Sequence, residues 1–143
     1  MEIISHPQLH QDIGRWVDLR IPGDHVRGFG PNVTAIGFVE NGKPVGGVTY
    51  YNFTGYNILA AIAIEPKFSL PRRALRAIFH YPFVQLGCLR ITALIGTKNV
   101  VSMDFCVRLG FKYEGTLRRA TPTDDHLIYG LIKEECRWIP RAT

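Results

Sequence analysis

The chain has 143 residues, of which 46% are hydrophobic, 20% are charged and 11% are aromatic. This composition is that of a folded globular protein and excludes a disordered chain, and the length suits a single domain around one core. The formal net charge is +5, which is compatible with a polyanionic partner but also occurs on mildly basic surfaces that bind nothing. We therefore predict one domain over residues 1–143.

Two further features of the sequence indicate the location of the protein and the state of its cysteines. Residues 1–11 contain His, Pro and Gln where a secretory leader would be apolar, and the longest apolar run, residues 58–64, is too short to span a bilayer. We expect a cytoplasmic protein without a membrane partner. The three cysteines are widely spaced and form no CxxC pair, so we expect reduced thiols, no disulfide framework and no metal site.

The first third of the chain predicts a helix followed by a hairpin. Apolar residues at helical spacing indicate a helix over residues 7–19. The Gly- and Pro-rich residues 24–33 indicate a loop. Strands are predicted at residues 34–39 and 45–53, joined by a tight turn at Asn41-Gly42.

A buried strand and a helix follow. Residues 57–64 are apolar almost throughout, which predicts a strand buried on both faces. A helix is expected from about Pro71 to Tyr81, with Pro71 in its first turn and Pro82 as its stop.

The last third predicts a strand, a helix and two strands. A short strand is expected at residues 89–95. Asn99 is placed as the N-cap of a helix over residues 100–109, and Gly110 as the left-handed residue that ends it. Two final strands, residues 111–117 and 127–133, complete a mixed α/β (α+β) layout with a central sheet and helices on its faces.

Three arginines crowd the first turns of the helix that begins near Pro71. Arg72, Arg73 and Arg76 are cations at a helix N-terminus, where they oppose the helix dipole by several tenths of a kcal/mol each, roughly. A phosphate bound to the free backbone N–H groups there would relieve this conflict. The alternative is that arginine is simply a good helix former on a solvated face.

Two segments together carry a resemblance to a known family. The stretch from Asn99 and Ser102 to Arg108-Leu109-Gly110-Phe111, followed by Glu114-Gly115, is similar to the GNAT superfamily of N-acetyltransferases. It most resembles the branch that acetylates the N-termini of ribosomal proteins, and short acetyltransferases of phage and prophage genomes. Segments similar to Tyr81-Pro82-Phe83 and to residues 134–138 recur in that group.

The resemblance implies a GNAT-like fold in which two parallel strands splay apart to form an acyl-CoA cleft, and acetyl-CoA as cosubstrate. The pantetheine arm would pair with the strand that ends near Ile64, and the pyrophosphate would lie on the N–H groups before and within the first turn of the next helix. The cofactor-binding residues so implied are Ile62, Ala63, Ile64, Ser69, Leu70, Pro71, Arg72, Arg73, Ala74, Asn99 and Phe105.

The sequence departs from the family pattern at two places. The phosphate loop of the family reads Gln/Arg-x-x-Gly-x-Gly/Ala, whereas here Ser69-Leu70-Pro71-Arg72-Arg73-Ala74 retains only the final alanine. Many members carry a tyrosine four residues before the Gly-Phe pair, to protonate the leaving thiolate, and this position is Cys106. The resemblance to the N-terminal-acetylating branch assigns that proton to Ser102 instead.

The predicted catalytic residues are Ser102 as the acid, Asn99 as a residue that orients the cofactor, and Glu65 as one candidate base beside the thioester. Their alternative roles are helix capping for Ser102 and Asn99, and a solvated carboxylate for Glu65. Further candidate bases, each with an ordinary structural alternative, are Asp124, Asp125, His126, Tyr129 and Glu114, and a water relay without a dedicated base is also open.

Three functions are thus weighed. The first is transfer of an acetyl group from acetyl-CoA to a primary amine (a peptide N-terminus, a lysine or a small amine) by direct attack in a ternary complex. The second is an inactive GNAT-shaped binding module, suggested by the two departures. The third, a nucleic-acid-binding protein, rests on charge alone and ranks last, since no aromatic-basic motif accompanies the dispersed basic residues. A homodimer is compatible with the resemblance.

Overall fold

The computed structural model describes residues 1–23 and 28–140 and forms a seven-stranded mixed sheet flanked by three α-helices. The strand order is β1-β2-β3-β4-β5-β7-β6. Of the predicted loop at residues 24–33, residues 24–27 lie outside the described residues. The elements in chain order are β1 (Glu2–Ile4), α1 (His10–Asp18), β2 (Thr34–Glu40), β3 (Lys43–Tyr51), β4 (Asn57–Ile64), α2 (Arg72–His80), β5 (Arg90–Gly96), α3 (Val100–Leu109), β6 (Lys112–Leu117) and β7 (His126–Ile132).

The two faces of the sheet carry different helices. Alternate residues of a strand point to opposite faces. On β3, a Cβ added to Gly47 would lie 2.9 Å from Val17 Cγ2, so α1 packs closely on that face. The neighbouring Val48 and Tyr50 belong to the core on the other face, with Phe79 of α2 and residues of α3. The predicted mixed sheet with helices on both faces is therefore confirmed.

Local signals in the sequence placed most element boundaries correctly. Asn41 and Gly42 have φ angles of 51° and 77° in the hairpin turn, the conformation that a two-residue turn of this type requires. Asn99 caps α3 and Gly110 ends it at a φ of 107°. Both helix-end signals depend on neighbouring residues alone, which is why the sequence revealed them.

One strand was not predicted, and the expected burial of another was wrong. The short edge strand β1 was not predicted, because three residues are too few to show a pattern. Strand β4 is not buried on both faces: only Ile58 and Ala63 are buried along it, and the other six residues are partly exposed. Its continuous apolar run instead lines a cleft.

Pro82 does not stop the second predicted helix in the expected way. The α-helix ends at His80, with Pro71 as its N-cap residue rather than in its first turn, and the chain continues as a π-helical turn over Tyr81–Gln85. Leu86 N–H donates to the Tyr81 carbonyl at 3.0 Å. Proline lacks a donor but sits where this wider turn needs none, so the helical path persists past it.

No helix in the described ranges is long and apolar enough to cross a bilayer. The three cysteines are free thiols, and all are buried. Across residues 1–23 and 28–140, no group of three or more His, Cys, Asp or Glu side chains is arranged to hold a metal ion.

Candidate active site

A fork opens in the middle of the sheet. β4 and β5 are parallel neighbours, but they pair only through three positions, Asn57 to Leu59 opposite Arg90 to Thr92. Beyond this point β4 runs on to Ile64 against β3, and β5 runs on to Gly96 against β7. The backbone groups on the two inner edges are therefore left without strand partners, and they can hydrogen-bond an extended ligand that carries amides.

The closed end of the fork is fixed by a chain of polar side chains. Thr92 Oγ1 donates to Asn57 Oδ1 at 2.7 Å, and Arg90 Nε donates to Thr92 Oγ1 at 3.1 Å. Arg90 then pairs with Glu114 of β6 at 2.6 Å. The ion pair passes directly over Gly130 of β7, where any Cβ would collide with both side chains. This network spans β4, β5 and β6 at the segment where β4 and β5 are paired.

The space inside the fork is apolar and small. A cavity of about 70 Å³ lies between the diverging strands and helices α2 and α3. Ala60 and Ala93 are among its lining residues, and their short side chains keep it open. Cys106 of α3 also lines it, and burial raises the pKa of this thiol to about 12. The thiol is therefore protonated at neutral pH and is not a nucleophile.

A longer groove of about 570 Å³ leads from this cavity along the end of β4 and the start of α3. It brings together residues that are far apart in the sequence and that were predicted to form the site. The predicted residues that line this groove, called here the β4–α3 groove, are Ile62, Ala63, Ile64, Glu65, Ser69, Leu70, Asn99, Ser102 and Phe105.

Asn99 and Ser102 meet at the junction of the cavity and the groove, and both residues line both spaces. The Asn99 side chain accepts a hydrogen bond from Ser102 N–H at 3.2 Å, so its capping role is real. The Ser102 hydroxyl is half-buried and has no hydrogen-bond partner within the described ranges. It is thus free to donate to an atom bound in the fork.

Glu65 lines the groove as a paired carboxylate. Its Oε1 is 3.1 Å from both Nε and Nη2 of Arg20. The guanidinium lies over the ring of Trp16, 3.7 Å from the centroid, at the end of α1. Sequence analysis did not identify Arg20, since nothing local links residues 45 positions apart. The pair reduces the negative charge that Glu65 brings to the groove.

Two of the candidate bases in the β6–β7 loop, Asp124 and Asp125, already accept hydrogen bonds from neighbouring residues. Asp124 accepts hydrogen bonds from Thr97 N–H at 2.9 Å and from the Thr97 hydroxyl at 2.5 Å. The hydroxyl contact is the main cause that lowers the pKa of Asp124. Asp125 accepts from Arg119 N–H at 2.6 Å. Both carboxylates therefore hold loops in place.

The remaining three candidate bases differ in burial and in their polar contacts. Tyr129 is buried in the sheet opposite Ala93, and Glu114 is paired with Arg90. His126 begins β7 opposite Gly96 at the open end of the fork. Within the described ranges the His126 ring forms no hydrogen bond or ion pair and, unlike the Tyr129 side chain, it is only partly buried.

The start of α2 matches the predicted phosphate site only in part. Ala74 N–H donates to the Pro71 carbonyl at 3.0 Å and is used within the helix. Proline has no N–H, so the candidate donors are the backbone groups of Ser69, Leu70, Arg72 and Arg73. The side chains of Arg72 and Arg73, like that of Arg76, line a different groove on the far side of the helix.

The groove is also lined by residues that were not proposed as site residues, two of which lie near the C-terminal end of α3. Arg108 of α3 and Trp138 of the C-terminal segment both border it. Trp138 Nε1 donates to the Leu109 carbonyl at 3.0 Å, which fixes the segment against α3. The only sequence signal was that Trp138 belongs to the recurring segment at residues 134–138.

The sequence matches no protein-family model and no curated protein. Solved structures share its fold. A spermidine N-acetyltransferase SpeG mutant from Vibrio cholerae aligns with a TM-score of 0.71 at 13% identity, over 94% of this chain and 96% of that one. A GNAT-family acetyltransferase from Bacillus anthracis aligns with a TM-score of 0.59 at 20% identity, over 72% of this chain and 67% of that one.

A third structure is Campylobacter jejuni N-acetyltransferase PseH in complex with acetyl coenzyme A, with a TM-score of 0.57, 13% identity, and coverage of 71% of this chain and 68% of that one. The chain spans only 64% of the length of a probable acetyltransferase that it also resembles. At these identities the likeness establishes the fold, which is that of GNAT acetyltransferases.

Proposed function

We propose that the chain is an acyl-CoA-dependent N-acetyltransferase that moves an acetyl group from acetyl-CoA to a primary amine. The observation that carries the proposal is the fork between β4 and β5, whose unpaired inner edges lead into a groove that continues to the residues before α2. An extended thioester with two amides and a pyrophosphate suits this sequence of surfaces. A neighbour of the same fold was solved with acetyl coenzyme A, which supports the same cosubstrate.

The lining of the groove supports the following mode of cofactor binding. The pantetheine amides pair with the inner edge of β4 at Ile62 to Ile64, and Phe105 packs against the arm. The pyrophosphate binds backbone N–H groups of Ser69, Leu70, Arg72 and Arg73, where a helix N-terminus favours negative charge. Arg72 occupies the position of a glycine in the family's phosphate loop. Because the Arg72 side chain lines the other groove, this replacement leaves the backbone N–H groups accessible.

The proposed reaction is direct attack on the thioester. The amine nitrogen forms a bond to the carbonyl carbon, and the C–S bond then breaks to give the amide and the CoA thiolate. Backbone N–H groups of β4 polarise the carbonyl oxygen. Ser102 donates its proton to the thiolate and regains one from water, and the amine proton leaves through His126 or through water. Asn99 holds the first turn of α3, and hence Ser102, at the mouth of the fork.

Two assays test this proposal. Thermal unfolding is measured with acetyl-CoA and with ATP as the polyphosphate control; a ligand at a hundred times its Kd stabilises the fold by about 2.7 kcal/mol. Release of CoA is then followed with a thiol reagent in the presence of spermidine, lysine or an Ala-initiated peptide. The Ser102→Ala variant should retain the acetyl-CoA shift and lose at least about tenfold in kcat.

The outcomes separate the enzyme from its alternative. Stabilisation by acetyl-CoA with no amine-dependent CoA release would indicate the inactive binding module. No stabilisation at all would refute the cofactor site itself. Which amine is used best distinguishes the peptide-acetylating branch from small-amine acceptors; that branch, the phage-like relationship, the cytoplasmic location and the homodimer stay predictions.

A further inference from the structure

A second groove, larger than the first, lies on the opposite side of α2. It has a volume of about 1050 Å³ and runs between the N-terminal segment, the start of β2, the outer side of α2 and the C-terminal segment. We call it the basic groove. Its charged and titratable lining residues, apart from Tyr81, are Arg72, Arg73, Arg76, Arg137, His10 and His80. No Asp or Glu lines it within the described ranges.

In the part of the chain that the structure describes, the four arginines have no carboxylate partners. Within residues 1–23 and 28–140, none of them forms an ion pair, although five other ion pairs are present. Arg73 donates to the Met1 carbonyl and Arg137 to the Arg108 carbonyl. Arg76 has no polar contact at all in the same ranges. Like charges gathered in this way repel one another, and a bound anion offsets that repulsion.

Two of the arginines are held in position by an aromatic ring. The guanidinium carbons of Arg72 and Arg137 lie 5.7 Å and 4.6 Å from the ring centroid of Trp138. Cation–π contacts of this kind favour a defined guanidinium placement. Because Trp138 is itself hydrogen-bonded to Leu109, the positive rim of the groove is anchored to α3.

The distribution of charge favours a compact ligand over a long one. The chain has 17 Lys and Arg against 12 Asp and Glu. Leaving aside the four arginines of the groove, 13 basic residues stand against 12 acidic ones, so the rest of the chain is nearly neutral. A strand of nucleic acid needs an extended basic track, whereas a small polyanion needs only one basic pocket.

We propose that the basic groove is a second anion site, distinct from the β4–α3 groove, which binds a small polyphosphate. Guanidinium groups form paired, charge-assisted hydrogen bonds with phosphate oxygens, and several arginines in one groove match several adjacent phosphates. Among the described residues, Trp138 is the one that lines both grooves. Anion binding in the basic groove does not depend on acetyl transfer, so the two proposals are tested separately.

The probe is inorganic tripolyphosphate, titrated into the full chain by isothermal calorimetry, alone and with saturating acetyl-CoA. The test variants are Arg76→Glu and the milder Arg76→Gln, since the Arg76 side chain is exposed and forms no polar contact with the described residues. The matched control is Arg118→Glu, which makes the same charge change at an exposed position outside both grooves. Circular dichroism verifies that each variant is folded.

We expect 1:1 binding that acetyl-CoA does not displace. Affinity should fall about tenfold or more in Arg76→Glu, less in Arg76→Gln, and less than about twofold in Arg118→Glu. Absence of binding, or equal losses in Arg76→Glu and Arg118→Glu, would overturn the proposal. Competition between tripolyphosphate and acetyl-CoA would also overturn it, because the groove would then be part of the cofactor site. So would binding of a single-stranded oligonucleotide in place of tripolyphosphate.

Discussion

The cap of helix α3 allows the structural and catalytic roles of one residue to be separated. Asn99 is 9% exposed, and its side chain accepts a hydrogen bond from Ser102 N–H at 3.2 Å. Replacing it by alanine removes the acceptor and leaves that N–H without a partner at a nearly buried helix end. Loss of an N-cap of this kind costs about 1–2 kcal/mol.

The loss of stability in Asn99→Ala can be expressed as a change in Tm. For a domain of this size, 1 kcal/mol lowers Tm by about 3–4 °C, so Asn99→Ala should unfold about 3–8 °C below the wild type. Asn99→Asp and Asn99→Ser both retain a capping oxygen and should recover most of this loss, with Asp favoured further by the helix dipole. Differential scanning calorimetry of the three variants without ligand measures the effect.

The same variants test the second role. If Asn99 also orients the cofactor through its amide, Asn99→Ser should be nearly as stable as the wild type but release CoA more slowly with a saturating amine. The capping argument would be refuted if Asn99→Ala unfolded at the wild-type temperature, or if neither oxygen-bearing variant recovered stability. Full activity in a stable Asn99→Ser would limit Asn99 to capping.

Three further measurements address the described contacts. Burial raises the pKa of Cys106 from 9.0 to about 12, so its thiolate at pH 8 is about a thousandfold scarcer than that of a free thiol, and a disulfide reagent should label it only after unfolding. The pKa of Asp124 is lowered from 3.8, so its stabilising effect is full above pH 3.8 and is lost as pH falls through the lower folded value; the Tm deficit of Asp124→Asn should shrink in that range. In Gly130→Ala the new methyl group displaces the Arg90–Glu114 ion pair, and urea unfolding should show a loss of about 1–2 kcal/mol, partly relieved in Gly130→Ala/Glu114→Ala.

The backbone arrangement around the candidate site was predicted more completely than its side-chain contacts. The resemblance implied that two parallel strands diverge, and the structure shows pairing that stops after Leu59 and Thr92. It also brings Ser69 and Leu70 to the same groove as Asn99 and Ser102. These residues are separated by about 30 positions, and only the order of the strands unites them. The roles assigned to them remain for the assays above.

Other contacts left no trace in the sequence. The carboxylate of Glu65 is paired with Arg20, and that of Asp124, one of the candidate bases, accepts a hydrogen bond from Thr97. The apolar run of β4 has the pattern of a fully buried strand, because a strand that lines a cleft and a strand in a core need the same side chains. Periodicity reports which residues avoid water, but it cannot say whether protein or a ligand covers them.

The sequence by itself determined the local features: the Asn41-Gly42 turn, the cap at Asn99, the left-handed Gly110 and the order of most elements. Each depends on the conformational preferences of a few neighbouring residues. Only the tertiary structure decided that the arginines of α2 face a separate groove, where Arg72 and Arg137 lie over the same Trp138 ring. The direction in which a helix presents its side chains depends on what packs against it, and here that is a segment more than 50 residues further along the chain.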